Sequence, residues 1–269
     1  MKLILEKLFT FLPDSWYFFI MGKCYLLKNP DRRGCKTKIR KLEPCLYLAE
    51  DPDGTNIFFS VRSRFARYLF PNGVKNLLDS IKKKYELGDG GVMQGDIVLD
   101  IGANIGEFSM AIASKAGHIY CIEPDPAVIK TLRKNMERFN NVTIIEVGLS
   151  DQSGNFDFYL STIDADSSFF PPMTYSKKIT IKAMRLDNLV SDYQILSLDF
   201  IKLEAEGWEP EVLLGAPLSL KACNQIVVDA GPERGGYATA DDVSNILNKA
   251  GFTVTNKNFI VAGFKKLGN

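Results

Sequence analysis

"VLDIGANIGEFS", residues 98–109, is an apolar run that ends in an acid, passes two glycines and an asparagine, and re-enters an apolar pattern behind a second acid. Its first residues read as a buried strand and those from Glu107 onward as a helix, so the glycines fall in the turn between them. The same rhythm extends outward. The strand "DIVLDI" precedes a helical "GEFSMAIASKA", a strand "HIYCIE", a helical "PAVIKTLRKNMERF" with Pro126 near its start, and a strand "NVTIIEV". This order predicts an α/β, doubly wound, mostly parallel sheet with helices on both faces. "GNFDFYLS" and "KKITIKAMRL" then predict an inserted β-hairpin around the polar, aromatic loop "TIDADSSFFPPMTYS". The rhythm resumes with "LDFIKLEAEG", the helical "WEPEVLLGA", the strand "NQIVVDA", the helical "TADDVSNILNKAG" and a closing pair around "FTVTNKNFIVAGF".

The 269 residues suffice for one large domain, assigned to residues 91–269, behind a helical or irregular N-terminal extension, residues 1–90. Thirty-three basic against 32 acidic residues leave almost no global field to attract nucleic acid, so no such partner is expected. Five scattered cysteines without a C-x-x-C spacing suggest neither a disulfide framework nor a zinc site, and read as reduced thiols of a cytoplasmic protein. In "MKLILEKLFTFLPDSWYFFIMGKCYLLKN" the charges Glu6, Lys7, Asp14 and Lys23 interrupt the apolar run well short of a membrane span or a signal-peptide core. Residues 2–12 place Leu3, Ile4, Leu8, Phe11 and Leu12 on one side of a helix stopped by Pro13. Packing over the main domain is the first reading of that face; peripheral contact with the cytoplasmic face of a membrane, through residues 1–28, is the alternative. The basic segment 28–41, "KNPDRRGCKTKIRK", reads as a solvated loop, with lipid headgroups or an anionic substrate as its alternative partners.

In an open parallel sheet, ligands lie at the carboxyl ends of the strands near the point where strand order reverses, and the first strand with its turn is the usual place. Gly102 and Gly106 read as letting the backbone approach a ligand, with Ala103 and Asn104 completing the turn and Phe108 and Ser109 opening the helix. A dinucleotide pyrophosphate requires G-x-G-x-x-G, yet the middle position is Asn104, and Glu107 stands at the helix start where an anion would bind. No G-K-[ST] follows, which excludes a P-loop. A cationic ligand reverses the electrostatics. S-adenosylmethionine carries a sulfonium and an ammonium, both favoured beside an ionised Asp100. Glu123, followed by Pro124 at the end of the second strand, is placed for ribose hydroxyls, and Ser150 and Asp151 of "GLSDQSG" for the adenine.

"FIKLEAEGWEPEVLLGA" is the other unusual stretch. On a continuing strand Lys202, Glu204 and Glu206 share one face, which a central parallel strand should keep apolar, so a site function is expected for them. Together with "LDIGANIGEFS", "CIEPDP", "GLSDQSG" and "MRLDNL", this element resembles the FkbM family of S-adenosylmethionine-dependent methyltransferases, over roughly residues 95–265. Glu204 stands where that family's element has Asp, one methylene shorter.

The resemblance implies a class I, Rossmann-like methyltransferase fold, S-adenosylmethionine as cofactor, and methyl transfer to a hydroxyl of a sugar, glycan or related small-molecule natural product. Lys202, Glu204 and Glu206 are then the expected catalytic group: a buried carboxylate as base, the lysine orienting the acceptor, or a divalent metal between carboxylates as an open alternative. Ser167 and Phe169 of the long loop, with Glu209 and Arg234, are expected at the acceptor. His118 begins the second strand, at the end opposite the ligand edge, and reads as structural. Two rivals are a non-catalytic S-adenosylmethionine-binding adaptor and an NAD(P)-dependent oxidoreductase.

Overall fold

The structure, a computed structural model, describes residues 12–28, 36–69, 72–86, 90–161, 167–172 and 174–265, and the chain divides into two compact units, Met1–Ser80 and Ile81–Asn269. The helix expected over residues 2–12 lies, apart from its last residue, outside the described residues. In the first unit, helix α1 (Asp14–Lys28) opens on Asp14, an acid in the first turn where the helix dipole favours it, and that carboxylate also takes Lys41 at 2.6 Å. Three antiparallel strands follow, β1 (Lys38–Glu43), β2 (Leu46–Glu50) and β3 (Asn56–Phe59), where a helical or irregular extension was expected. The last four residues of the supposed basic loop 28–41 are therefore strand; β1 is largely exposed, while β2 and β3 contribute Tyr47 and Phe59 to an aromatic core. Tyr17, Tyr47, Phe59, Phe65 and Tyr68 form that core, with Phe59 in contact with Tyr47 and Tyr68 at ring distances of 5.2 and 4.8 Å. A 3-10 turn (Arg62–Arg64) leads to α2 (Phe65–Leu69) and α3 (Val74–Tyr85), whose first N–H groups, of Val74 and Lys75, donate to the buried Asp51 carboxylate at 3.1 and 2.9 Å.

The second unit begins with the last turn of α3 and holds the doubly wound sheet. Its strands are β4 (Ile97–Ile101), β5 (His118–Ile122), β6 (Val142–Ile145), β10 (Phe200–Leu203), β11 (Gln225–Asp229), β12 (Thr253–Lys257) and β13 (Ile260–Phe264). They lie in the order β12-β13-β11-β10-β4-β5-β6, parallel except that β13 runs antiparallel to both β11 and β12. Strand order reverses between β4 and β10, and there the carboxyl ends are level: Lys202 faces Asp100 and Leu203 faces Ile101. The central strands are buried on both faces, as parallel strands covered by helices must be, through Val98, Leu99, Ile119, Ile201, Leu203, Ile226 and Val228. The covering helices are α4 (Glu107–Ile112), α5 (Pro126–Met136), α6 (Leu186–Asp192), α7 (Glu209–Leu214), α8 (Pro217–Ala222) and α9 (Ala240–Lys249). Asp187 explains part of "MRLDNL": its carboxylate accepts the N–H groups of Leu218 and Ser219 at the start of α8, at 3.1 and 2.8 Å.

The expected hairpin is present as β8 (Gly154–Leu160) and β9 (Lys177–Met184), antiparallel over seven residue pairs. It forms a separate sheet, because β9 also pairs in parallel with β7 (Gly148–Leu149) directly after the third strand of the main sheet. Phe158, Phe169 and Ala183 are its core. Among the described residues no helix is long and apolar enough to cross a membrane.

One glycine fixes how closely β4 and β10 can end. Gly102 has φ +71°, and a Cβ there would lie 1.8 Å from the Glu204 carbonyl oxygen. Gly102→Ala is expected to lose more than about 2 kcal/mol, since strain from positive φ and a backbone clash add. Gly95→Ala, at φ +90° with nothing within 4 Å, is the control; it should cost about 1–2 kcal/mol. Urea unfolding of the two variants measures the difference, and equal midpoint shifts would refute the clash.

Candidate active site

The turn after β4 is closed by its own chain. The N–H groups of Gly102 and Ala103 both donate to the Ile122 carbonyl, at 2.9 and 3.1 Å, and that of Asn104 donates to Glu123 Oε2 at 2.7 Å. Gly106, at φ +89°, admits Met136 and Leu132 of α5, whose side-chain carbons would lie 2.5 and 2.9 Å from an added Cβ. The two glycines thus make room for protein, at Glu204 and at α5, where the sequence suggested close approach to a ligand. With three successive N–H groups already given to protein oxygens, this turn is not the anion cradle of a dinucleotide fold.

Asp100 ends β4 fully buried. Its Oδ2 accepts from Ser109 Oγ at 2.6 Å, and Lys202 Nζ stands 3.2 Å from Oδ1. That ion pair is off the angle of a hydrogen bond, because the ammonium donates instead to the carbonyls of Gly102 at 2.7 Å and Ile101 at 3.3 Å. Asp100 Oδ1 is therefore the one buried side-chain oxygen without a hydrogen bond among the described residues. Burial pulls the Lys202 ammonium toward neutrality, but the Asp100 and Glu204 carboxylates outweigh it and hold the pKa above the ordinary lysine range. Lys202 is accordingly a clamp on the turn, bound to oxygens of its own chain, where the sequence reading had it orienting an acceptor. Ser109 is buried and acts through Asp100, and Phe108 is core, packed between Tyr85 and Phe200 at ring distances of 5.2 and 6.0 Å. Ala103 is buried as well.

Glu123, just past β5, accepts one backbone N–H on each oxygen, from Asn104 at 2.7 Å and Asp125 at 2.8 Å, with Pro124 shaping the turn between. Burial raises its pKa to about 7 against the lowering by those two hydrogen bonds. Each oxygen keeps a further lone pair for a donor. Ser150 is buried, gives its hydroxyl to Asp151 Oδ1 at 3.0 Å, and receives Trp208 Nε1 at 3.4 Å; Asp151 is half-buried. Acids or hydroxyls thus stand just at or past the ends of β4 and β5 in the main sheet and of β7 in the hairpin sheet.

The second constellation is redistributed, because β10 stops at Leu203 and alternation stops with it. Glu204 remains at the strand end. Its Oε2 accepts from Tyr85 Oη at 2.9 Å and lies 3.4 Å from Lys202 Nζ, while Lys84 Nζ is 3.6 Å from Oε1. Although burial works to raise it, Lys202, Lys84 and the Tyr85 hydroxyl together hold its pKa well below the carboxylate range. Glu206 is carried into a turn with φ +51°, followed by Gly207 at φ +89°, and its carbonyl accepts from Ser168 Oγ at 2.8 Å. The expected single charged face is therefore not formed.

The four residues expected at the acceptor all make contacts within the chain. Glu209 is 1% exposed, and its carboxylate accepts from the N–H groups of Ala205 and Gly207 at 2.9 and 3.0 Å and from Thr239 Oγ1 at 2.8 Å, so it writes the 205–207 turn. Phe169 packs on Trp208 and the β8 aromatics. Arg234 donates to the Gly207 carbonyl and pairs with Glu211, its guanidinium 5.7 Å from both the Trp208 and Phe170 rings. Ser167 Oγ accepts from the Ser161 N–H at 2.9 Å, closing the base of the long loop.

Sequence reasoning missed Lys84, Tyr85, Ser168 and Asp229. Lys84 Nζ donates to Asp229 Oδ2 at 2.5 Å across 145 residues of chain, and no local pattern announces such a pair. Asp229 was legible in principle, as an acid ending an apolar strand in the manner of Asp100. His118 starts β5 and meets Thr143 Oγ1 at 2.9 Å, away from the carboxyl edge, as its position predicted. Among the described residues no group of three His, Cys, Asp or Glu side chains converges as a metal site.

The profile described as the methyltransferase FkbM domain matches residues 100–254. Hexuronic acid methyltransferase AglP of Haloferax volcanii is 29% identical over 160 residues, 58% of this chain and 63% of AglP. The 2-O-methyltransferase NoeI of Sinorhizobium fredii is 26% identical over 170 residues, 56% of this chain and 70% of NoeI. The match thus spans less than two thirds of AglP. Methanococcus jannaschii fibrillarin superposes with a TM-score of 0.43 at 13% identity, covering 86% of this chain and 98% of that one.

Breaking the buried pair from one side should be costly. Lys202→Met leaves the Asp100 carboxylate buried without its cation and is expected to lose about 3–5 kcal/mol in urea unfolding. Adding Asp100→Asn should then recover about 1–3 kcal/mol of the additive expectation. Strict additivity of the two losses would show that the pair is not coupled.

Proposed function

Given that the chain belongs to the FkbM methyltransferase family, we propose that it is an S-adenosylmethionine-dependent O-methyltransferase acting on a hydroxyl of a sugar, glycan or related natural product. The observation that carries this reading is Asp100 Oδ1, a buried anionic oxygen without a hydrogen bond at the switch point of the sheet, beside a turn whose N–H groups are already taken. A cation with donors suits that oxygen; a pyrophosphate does not. S-adenosylmethionine, when bound, supplies an electrophilic methyl group on a positive sulfur. Asp100 and the 102–106 turn would hold its charged end, Glu123 its ribose hydroxyls, and Ser150 with Asp151 its adenine. A sugar acceptor is supported by AglP, whose name specifies a hexuronic acid, and by NoeI, named as a 2-O-methyltransferase.

The proton of the acceptor hydroxyl needs a carboxylate that is not already pinned in its ionised form. Glu204 is pinned by Lys202, Lys84 and Tyr85. Asp229, on the neighbouring strand, is pushed upward by burial despite its bond to Lys84. Two acids driven apart in this way divide their roles. Glu204 stays ionised and accepts a hydrogen bond that orients the acceptor; Asp229 takes the proton; Lys202 positions both strand ends. Glu206, at the turn beyond, lines the acceptor side with Ser168.

Release of S-adenosylhomocysteine against a panel of hexuronate-containing glycans tests the activity, and its absence with every acceptor, despite cofactor binding, would leave the adaptor reading in its place. Isothermal calorimetry should give heat with S-adenosylhomocysteine and none with NAD; the reverse pattern overturns the cofactor assignment. Asp229→Asn is expected to lower kcat by about 10²–10⁴-fold, and Glu204→Gln chiefly to raise the acceptor KM. Glu123 makes affinity pH-dependent. Its carboxyl is neutral below its pKa of about 7, and the neutral group accepts from ribose hydroxyls more weakly than the carboxylate does. S-adenosylhomocysteine affinity should therefore fall, by up to about tenfold per pH unit, as pH drops below that value. Glu123→Gln should be weak and flat across the same range.

A further inference from the structure

Helix α1 is divided lengthwise. Tyr17 is buried and meets Phe65 edge-on at 5.8 Å. Trp16, Phe19 and Leu27 are exposed at 60, 55 and 78%, and Lys23 is exposed among them. Spaced three, four and four residues apart, these four side chains form one stripe along the helix. Lys23 Nζ lies over the Phe19 ring, 4.4 Å from its centroid, so the ammonium itself rests on an aromatic face within the stripe.

The near-neutral charge of the whole chain hides a division. Residues 1–80, the first compact unit, carry 14 Lys and Arg against 8 Asp and Glu, whereas residues 81–269 carry 19 against 24. On β1 and just before it, Lys36, Lys38, Arg40, Lys41 and Leu42 are exposed as well. An apolar groove on a protein would complement the stripe but leave the cationic excess unexplained. Nucleic acid would use the cations and leave Phe19 and Leu27 without a role. An anionic bilayer uses both: aromatic and aliphatic side chains enter the headgroup boundary, Lys23 snorkels to it, and the remaining cations lie in the negative surface potential. Fifteen residues of helix are about 22 Å long, shorter than a hydrocarbon core, and Lys23 interrupts them.

We propose that the N-terminal unit docks on an anionic lipid surface through the Trp16, Phe19, Lys23 and Leu27 stripe, with α1 lying in the interface rather than crossing it. The inference does not depend on the catalytic reading. The full chain is mixed with phosphatidylcholine vesicles with and without about one third phosphatidylglycerol, with brominated acyl chains as fluorescence quenchers. Binding is expected only with the anionic lipid and should weaken in high salt. Quenching should persist in the wild type and vanish in Trp16→Phe, which still binds. Phe19→Ser/Leu27→Ser should bind at least about tenfold more weakly with an unchanged melting temperature. Methyl transfer to a soluble acceptor should not change in that double variant, so docking and catalysis are separable. Absence of binding to the anionic vesicles, unaltered binding of the double variant, or a dimer that the same substitutions abolish would each overturn the proposal.

Discussion

A lysine ammonium and an aspartate carboxylate face each other out of water on the two central strands, and the arrangement of the ligand edge depends on that pair. Such a pair is a weak source of net stability, since desolvation cancels most of the Coulomb attraction. Its effect is on geometry. Lys202 Nζ has more oxygens within reach than one carboxylate supplies, and by donating to the carbonyls of Ile101 and Gly102 it draws the first turn onto β10. Glu204 N–H donates in turn to the Ile101 carbonyl at 3.1 Å. Only glycine fits at position 102 once the two strand ends are that close. One Asp100 oxygen, 3.2 Å from Lys202 Nζ, is left by this network without a hydrogen bond.

Beyond the pair, buried carboxylates do structural work that on an exposed surface would be left to water. Glu209 satisfies the N–H groups of the 205–207 turn from below, while Arg234 satisfies the carbonyl of Gly207. Held from both sides, the turn keeps Glu206 in the left-handed region, a conformation that costs energy and persists only when its surroundings over-determine it. The charge sorting at the strand ends has the same origin. Lys84 sits between Glu204 and Asp229, Tyr85 bonds only to Glu204, and two acids of similar intrinsic strength come to differ in the ease with which they accept a proton.

Much of the sheet was legible because its strands are short apolar runs between helical periods, and Asp100, Glu123 and Ser150 follow those runs directly. The reading failed where a residue's role depends on what lies opposite. Glu209 looks like a surface acid at the start of a helix, yet it is among the most buried side chains of the unit. Phe169 sits in a polar loop and became core, since β8 and β9 needed a lid. The strand after residue 200 was read past its end because alternating charges mimic a half-exposed strand, whereas the chain turns at Ala205. The antiparallel sheet of the first unit escaped notice for a related reason: β3 has four residues, too few for a period of two to stand out.

What the sequence by itself determined is the order of strands and helices of the main sheet and its acid-bearing turn, since each depends on neighbours within a few positions. Only the tertiary structure decided which charges meet: Lys84 and Tyr85 reach Asp229 and Glu204 across 145 and 119 residues. The physical reason is range. Backbone conformation and hydrophobic periodicity are written locally, but pKa values and hydrogen-bond partners are set by whatever the fold brings within a few ångströms.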